Sequence, residues 1–434
     1  MTTDGTLAKA RWTDGLTRYH YLVLTVACFG WLFDTMDQWL FVFAKKPAML
    51  ALMPGADPKS VDFYVQVVTA CLMIGWATGG IFFGLIGDRL GRTRTMIVTI
   101  LVYAGFTGLS GLAQNWWQFA GLRFLTGFGV GGEFAAGAAL VAETFPASSR
   151  AIALGIVQAT SALGNIMAGV IYLSITRMFA LDNAWRWVFA VGIIPAILVV
   201  VIFFYVREPE SWLAAREKAH KLKGQGLGSF GALFREPTLR HNTLVGVGLA
   251  AVGVIGFWGI SVFGIELLRE VLKPRNLDGK AMELYISFAG MVQNAGGVFG
   301  ALLFPYVTAR LGRRSTFGMS FALSFVACFC AFQFTTSFVT ALVFFACMGF
   351  ALLMNISGFT VYFPELFPTR VRATGTGFCY NVARYITAVG LFAIGQLTLM
   401  FGLKTAVLIT SSIFILGLFI LPFAPETKGK PLPE

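Results

Sequence analysis

Windows of about 20 consecutive apolar residues, each long enough to cross the hydrocarbon core of a bilayer as a helix, recur along almost the whole of this 434-residue chain. Short polar or charged connections separate them. About twelve can be marked off: 19–44, 62–86, 95–113, 117–142, 149–174, 185–206, 240–265, 282–306, 315–334, 338–362, 373–399 and 403–423. Membrane-spanning β-strands would appear as alternating segments of about ten residues, whereas these runs are longer and evenly apolar. Helices, which satisfy their own backbone hydrogen bonds, fit instead. Composition agrees: 57% of the residues are hydrophobic and only 12% charged, against about a quarter charged in soluble domains. The expected fold class is an all-α polytopic membrane protein with twelve transmembrane helices.

A net charge of +12 would suit nucleic acid, but its distribution points elsewhere. With the N-terminus placed inside, most Lys and Arg residues fall on the cytoplasmic side, which is the bias that orients a polytopic protein. Both termini are thus expected in the cytoplasm, in a multi-pass protein of the cell (inner) membrane with no nucleic-acid partner. Met1 to Tyr19 is polar and lacks the short apolar core of a cleaved signal, so no signal peptide is expected. Cys28, Cys71, Cys328, Cys330, Cys347 and Cys379 all fall inside spans and read as small apolar packing residues.

The chain repeats itself. "ETFPASSRAIALG" from Glu143 and "ELFPTRVRATGTG" from Glu365 share Glu, Phe, Pro, Arg, Ala and the final Gly at an offset of 222 residues. "DRLGRTR" from Asp88 matches "ARLGRRS" from Ala309 at an offset of 221. The expected organisation is therefore an N-terminal six-helix half, 1–206, a cytoplasmic linker, 207–239, and a C-terminal six-helix half, 240–434. Parallel repeats of this kind place a substrate pathway between the halves, near the bilayer midplane.

"GLIGDRLGRTR" from Gly84 resembles the signature loop between the second and third helices of the major facilitator superfamily. "RFLTGFGVGGEF" from Arg123 and "FPELFPTRVRATGTG" from Phe363 resemble segments of metabolite:proton and sialate:proton symporters and of organic-ion transporters, and "PETKGKPLPE" is similar to the sugar-porter terminus. The motifs lie in both halves, so the resemblance spans essentially the full chain. It implies the major facilitator fold and transport by alternating access.

The short loops carry charges suited to a gate, because a carboxylate can sit at a helix N-terminus and guanidinium groups can grip neighbouring carboxylates. Asp88, Arg89, Arg92, Arg94, Glu143 and Arg150 in the first copy, with Arg310, Arg313, Glu365 and Arg372 in the second, are expected to close the cytoplasmic side. Basic loops that only fix topology are the alternative. The second copy has Pro305 for the leading glycine and Ala309 for the aspartate, so its part of the lock should be weaker.

An ionisable group at mid-span costs about 2.5 to 3.5 kcal/mol on insertion scales, so it persists where it faces a cavity. Asp34, Asp37, Glu133 and Arg384 are such groups, while Arg123 and Arg186 lie close to span ends, where snorkelling is expected. Asp34 and Asp37, three apart, point to roughly one face of a helix. Mutual repulsion and desolvation would suit the pair, with Glu133, to carry a proton; partnership with an arginine or water is the alternative. Family resemblance assigns coupling to the acid of a "GGE" segment, here Glu133. The residue 222 positions later is Asn355, which would leave coupling to the first half. Arg384 lies 12 residues beyond Arg372, about 18 Å along a helix. "GFCYNVARY" resembles the helix of organic-anion transporters whose arginine binds the substrate anion. A standing salt bridge to Asp34, Asp37 or Glu133 is compatible with that role.

Gln38, Gln158, Asn165, Gln293, Asn294, Asn355, Tyr380 and Asn381 offer hydrogen bonds to substrate or to neighbouring helices. Histidine is absent from the spans, with His20, His220 and His241 at or near cytoplasmic ends, which excludes a histidine relay within the membrane. No Walker loop, metal-ligand cluster or nucleophile motif appears, so neither an enzyme nor a cofactor is expected. The expected function is proton-coupled symport of a small mono- or dicarboxylate by a monomer. Sugar or polyol symport and proton:organic-cation antiport are the alternatives. A non-transporting sensor would need a long signalling tail.

Overall fold

The computed structural model describes residues 12–179, 181–221, 227–277 and 279–433. Its α-helices are α1 Arg18–Leu52, α2 Pro58–Leu90, α3 Arg92–Ser110, α4 Trp116–Thr144, α5 Ala147–Met178, α6 Leu181–Val191, α7 Ala196–Tyr205, α8 Glu210–Lys221 and α9 Phe230–Arg235. They continue as α10 Pro237–Leu272, α11 Gly279–Leu311, α12 Arg313–Phe334, α13 Phe338–Leu366, α14 Arg372–Phe401, α15 Leu403–Ser411 and α16 Ile413–Ile420. No β-strand occurs among the described residues. Twelve spans result: α1 to α5, the broken pair α6–α7, α10 to α14, and the broken pair α15–α16.

The two broken spans depart from the expected single helices. The sixth stops at Val191 and resumes at Ala196, with Gly192 and Pro195 in the gap. The twelfth breaks at Ser412. The polar connection between the halves is also more structured than a linker: it carries α8 and α9, and Trp212 of α8 is fully buried with Nε1 donating to Asp88 O at 2.7 Å.

Nine segments among the described residues have the length and apolar composition to cross a membrane on their own account. The spans α1, α3 and α14 are not among them. α1 holds Asp34, Asp37 and Lys45, α3 a series of threonines behind Arg92 and Arg94, and α14 Arg372 and Arg384.

Side-chain oxygens cap several helix starts: Asn115 Oδ1 accepts from Gln118 N at 3.0 Å and opens α4, and Ser337 with Thr340 forms a capping box at α13. The repeat seen in the sequence reappears in packing. A Cβ at Gly79 of α2 would collide with Phe128 O of α4, and one at Gly300 of α11 with Phe350 O of α13. Glycine at these places lets each helix pair approach at backbone distance. Between the first six spans and the last six run two seams, α2 against α14 and α5 against α11.

Candidate functional site

Ionisable and aromatic side chains from both sets of spans meet in the interior of the bundle. Asp34 of α1 is fully buried, and Gln38 Nε2, one turn on, donates to its Oδ2 at 3.2 Å. Its Oδ1 has no hydrogen-bond partner among the described residues. The charges of Glu133, Asp37 and Arg384 all act on it. Glu133 of α4 is 2% exposed; its Oε2 accepts from Thr99 Oγ1 at 3.0 Å. Its Oε1 rests against Gly30, where a Cβ would collide.

Arg384 comes from the other side of the seam, on α14. Its guanidinium lies 4.0 Å from the Trp76 ring centroid and 4.2 Å from that of Tyr380, two rings whose faces attract a cation. Nη1 donates to Asn381 Oδ1, and Nε has no partner among the described residues. Tyr380 stacks on Phe134 with centroids 4.2 Å apart, and Trp258 meets Trp76 edge-on at 6.0 Å. A permanent cation is thus held within aromatic walls, opposite carboxylates it does not directly touch.

The expected Asp34/Asp37 pair is divided. Three residues of helix leave the two carboxylates about 60° apart, enough to aim them at different neighbours. Asp37 turns to Arg123 of α4, with Nη1 4.0 Å from its Oδ2. Arg123 corrects a second expectation, since it does not snorkel and is fully buried. Ser110 Oγ accepts from its Nε and Nη2 at 3.1 and 2.6 Å, and Thr126 Oγ1 accepts from Nη2 at 3.0 Å. Its guanidinium lies over Phe189 at 4.6 Å and near Phe41 and Phe119. The rings close the route to the interface, and Asp37 supplies the counter-charge. Arg186, midway along α6, donates to Gly111 O and Ala113 O just past the end of α3, at 2.7 and 2.9 Å.

At the end of the bundle where the linker lies, the loop charges form a clasp across the α2–α14 seam. Asp88 Oδ1 accepts from Ala373 N at 3.1 Å, and Oδ2 from Thr374 N at 2.8 Å and Thr374 Oγ1 at 2.6 Å, so a residue of α2 caps the N-terminus of α14. Arg92 Nη1 donates to Asp88 at 2.9 Å and Nη2 to Glu143 at 2.8 Å. Arg372 Nη1 reaches the same Glu143 oxygen at 2.7 Å from the other side. Arg313 and Glu365 repeat the Arg92–Glu143 pair within the last six spans, at 2.7 Å. Arg150 caps the end of α4 through Ala142 O at 2.7 Å, and Arg89 donates to Gly228 O of the linker at 3.2 Å. Arg94 and Arg310 are exposed, and no ion pair involves them among the described residues.

The uncharged candidates bond both between and within the two sets of spans. Gln158 Oε1 accepts from Thr360 Oγ1 at 2.9 Å between α5 and α13, and Asn165 Nδ2 donates to Asn294 Oδ1 at 2.8 Å across the α5–α11 seam. Gln293 Nε2 donates to Ser261 Oγ at 3.4 Å. Asn381 Nδ2 is bound to Gly377 O at 2.7 Å. Asn355 is fully buried, and neither of its amide atoms has a partner among the described residues.

Sequence reasoning missed Trp76 and Trp258, which look like any lipid-facing aromatic until the fold places them. It also missed Glu208 and Glu426. Glu208 accepts from the backbone N–H groups of Arg92, Thr93 and Arg94 at 2.7, 3.2 and 3.1 Å and caps α3. Glu426 does the same for Arg313 and Arg314 at α12, at 2.9 and 3.2 Å. The signal was a glutamate beside a proline just past the sixth and twelfth spans. Partial burial pushes the Glu426 carboxyl up, but the N–H donors of Arg313, Lys428 and Arg314 and the charge of Arg313 outweigh it and hold the group below the ordinary glutamate value.

Residues 27–292 and 280–434 match the Major Facilitator Superfamily. The chain belongs to that superfamily, and is a multi-pass membrane transporter of small molecules rather than an enzyme. It is 30% identical to a probable 4-methylmuconolactone transporter of Cupriavidus pinatubonensis, over 93% of this chain and 90% of that one. It is 28% identical to a cis,cis-muconate transport protein of Acinetobacter baylyi, over 85% and 87%. The solved proton:xylose symporter XylE superposes with a TM-score of 0.77 at 20% identity, covering 95% of this chain and 98% of that one, a likeness of fold.

Proposed function

We propose that the protein takes up a small organic anion, a mono- or dicarboxylate, together with a proton. In this reading it works as a monomer of the inner membrane, and two six-helix halves, 1–206 and 240–434, rock about the cleft to give alternating access. The linker end faces the cytoplasm, as the distribution of Lys and Arg favours. The observation that carries the reading is Arg384, a buried guanidinium with an unpartnered Nε, set between the faces of Trp76 and Tyr380. Such a group cannot shed its charge and can grip a carboxylate through two parallel hydrogen bonds. The aromatic walls suit a flat, unsaturated anion, in keeping with the names of the muconate and methylmuconolactone relatives.

Asp34 and Glu133 hold the field of Arg384 while the cleft is empty. A proton arriving on either carboxylate releases the guanidinium for substrate, which couples the two cargoes. Asp37, with its charge matched by Arg123, is the least suited of the three acids to change protonation. The paired residues at the linker end gate the cytoplasmic side.

The test is uptake by proteoliposomes under an imposed inward pH gradient, with labelled cis,cis-muconate and labelled xylose compared. Muconate accumulation that requires the gradient and is lost in Arg384→Ala is the expected result. Muconate uptake that survives Arg384→Ala would overturn the anion reading, and uptake indifferent to the gradient would overturn the coupling. The unpartnered amide of Asn355 favours a second reading, sugar or polyol symport, which predicts xylose uptake retained without Arg384.

A further inference from the structure

We infer that Lys45 forms an outer anion site, a station for the substrate carboxylate on the way from the bundle end remote from the linker to Arg384. The inference deepens the proposed function and rests on it.

The first argument is position. Tyr19 Oη is bonded to the backbone of Arg207 at 3.0 Å, which pins the start of α1 at the linker end, so α1 runs away from it. At 100° per residue, positions 34, 38 and 45 fall within about 40° of one another. Lys45 therefore continues the stripe of Asp34 and Gln38, about 16 Å farther along the helix. On α2, Thr69 precedes Trp76 by seven residues, again on one stripe and about 10 Å farther out. Lys45 Nζ donates to Thr69 Oγ1 at 3.4 Å. The Lys45·Thr69 contact is thus stacked above Asp34 and Trp76 on the wall built by α1 and α2.

The second argument is charge. Lys45 is half-buried, and its neighbours are the Thr69 hydroxyl and the Phe41 ring, 5.8 Å away. No carboxylate pairs with it among the described residues. Lys46, the next residue, shows what a structural lysine does here: it faces out and pairs with Asp62 at 2.7 Å, both groups more than half exposed. A cation drawn into an apolar wall without a counter-ion is costly, and an arriving anion removes that cost. The ammonium has three donors and Thr69 takes one, so two are free for a carboxylate. The Thr69 hydroxyl donates to Val65 O at 2.7 Å, which turns its lone pairs to Lys45 and orients the ammonium. A charge placed at the mouth of a low-dielectric cleft raises the arrival rate of its opposite more than it changes chemistry at the centre.

The experiment uses the full chain in proteoliposomes and initial uptake rates of labelled cis,cis-muconate, with benzoate and succinate as the mono- and dicarboxylate alternates. Lys45→Met should raise KM about tenfold and leave the maximal rate within about twofold, while Lys45→Arg stays within about threefold on both. High salt should raise KM in the natural protein and much less in Lys45→Met. An unchanged KM in Lys45→Met, with uptake still abolished in Arg384→Ala, overturns the outer site and leaves the anion reading standing. Uptake of none of the three carboxylates by the natural protein overturns both. Should Lys45→Met fold poorly, Lys45→Cys gives a second readout. Labelling by a sulfonate-bearing methanethiosulfonate, above the background of the natural cysteines and slowed by muconate, is expected; absence of labelling overturns the placement.

Discussion

Arg123 carries a full charge into a cage of Phe41, Phe119 and Phe189, with Asp37 as its counter-ion. Cutting one member of such a buried pair strands the other and costs about 3 to 5 kcal/mol. Arg123→Ala should accordingly lower the melting temperature of the purified protein sharply. An Asp37→Leu/Arg123→Leu double variant should lose less than the two single changes summed, because neither charge is then stranded. Equal or additive losses would show that the two groups do not act as a pair. The same residues mark the limit of what a sequence reveals at this scale. Depth along a helix can be counted, since each residue adds about 1.5 Å. Rotation about the helix axis can be counted too, but not which neighbours the roughly 60° between Asp34 and Asp37 will bring them against, so the turn of Asp37 to Arg123 and of Asp34 to Gln38 emerges only with the fold. Arg123 was misjudged for a related reason: its depth allows either snorkelling or burial, and the aromatic cage that decides comes from α1, α4 and α6.

Among the elements, α3 and α12 owe their starts to carboxylates from distant segments, Glu208 just past the sixth span and Glu426 just past the twelfth. A charged oxygen there meets both the orphan N–H groups and the positive end of the helix dipole. Because the folded Glu426 carboxyl is held below its ordinary value near 4.5, it contributes stability at pH above that value. The contribution is lost as pH falls through 4.5 toward the lower folded value, where the group is protonated in both states. The melting temperature of Glu426→Gln should therefore lie below that of the natural protein at pH 7, and the gap should close in acid; a gap independent of pH would refute the ionised cap. The "PETKG" segment was visible in the sequence as a family feature, but its partner role was not. Glu208 and Glu426 are 218 residues apart, not 222, because the repeat loses register where one half runs into the linker and the other into the tail. The break in the sixth span was legible in Gly192 and Pro195, which punctuate an otherwise apolar run.

For the whole molecule, the question is why a repeated chain closes its linker end with an unrepeated clasp. Asp88 caps α14, while the matching position on α11 holds Ala309. The reason lies in where the partner helices begin. α14 starts at Arg372, after a 3-10 turn over Thr369–Val371, so the N–H groups of Ala373 and Thr374 are free to be capped. Its counterpart α5 already starts at Ala147, with Arg150 N bonded to Pro146 O at 2.9 Å. The equivalent donors, Ala151 and Ile152, therefore lie inside the helix and are spent on its own carbonyls. An aspartate at 309 would find nothing to hold. Ala309→Asp should leave uptake within about twofold of the natural protein. Asp88→Asn removes charge-assisted bonds worth about 1.5 to 3 kcal/mol each from one conformation only. It should shift the population away from the closed linker end and lower uptake about tenfold or more. Comparison of the two variants separates a clasp fixed by helix register from a general effect of loop charge: if Ala309→Asp slows transport as strongly as Asp88→Asn, the cap on α14 is not what holds the halves together.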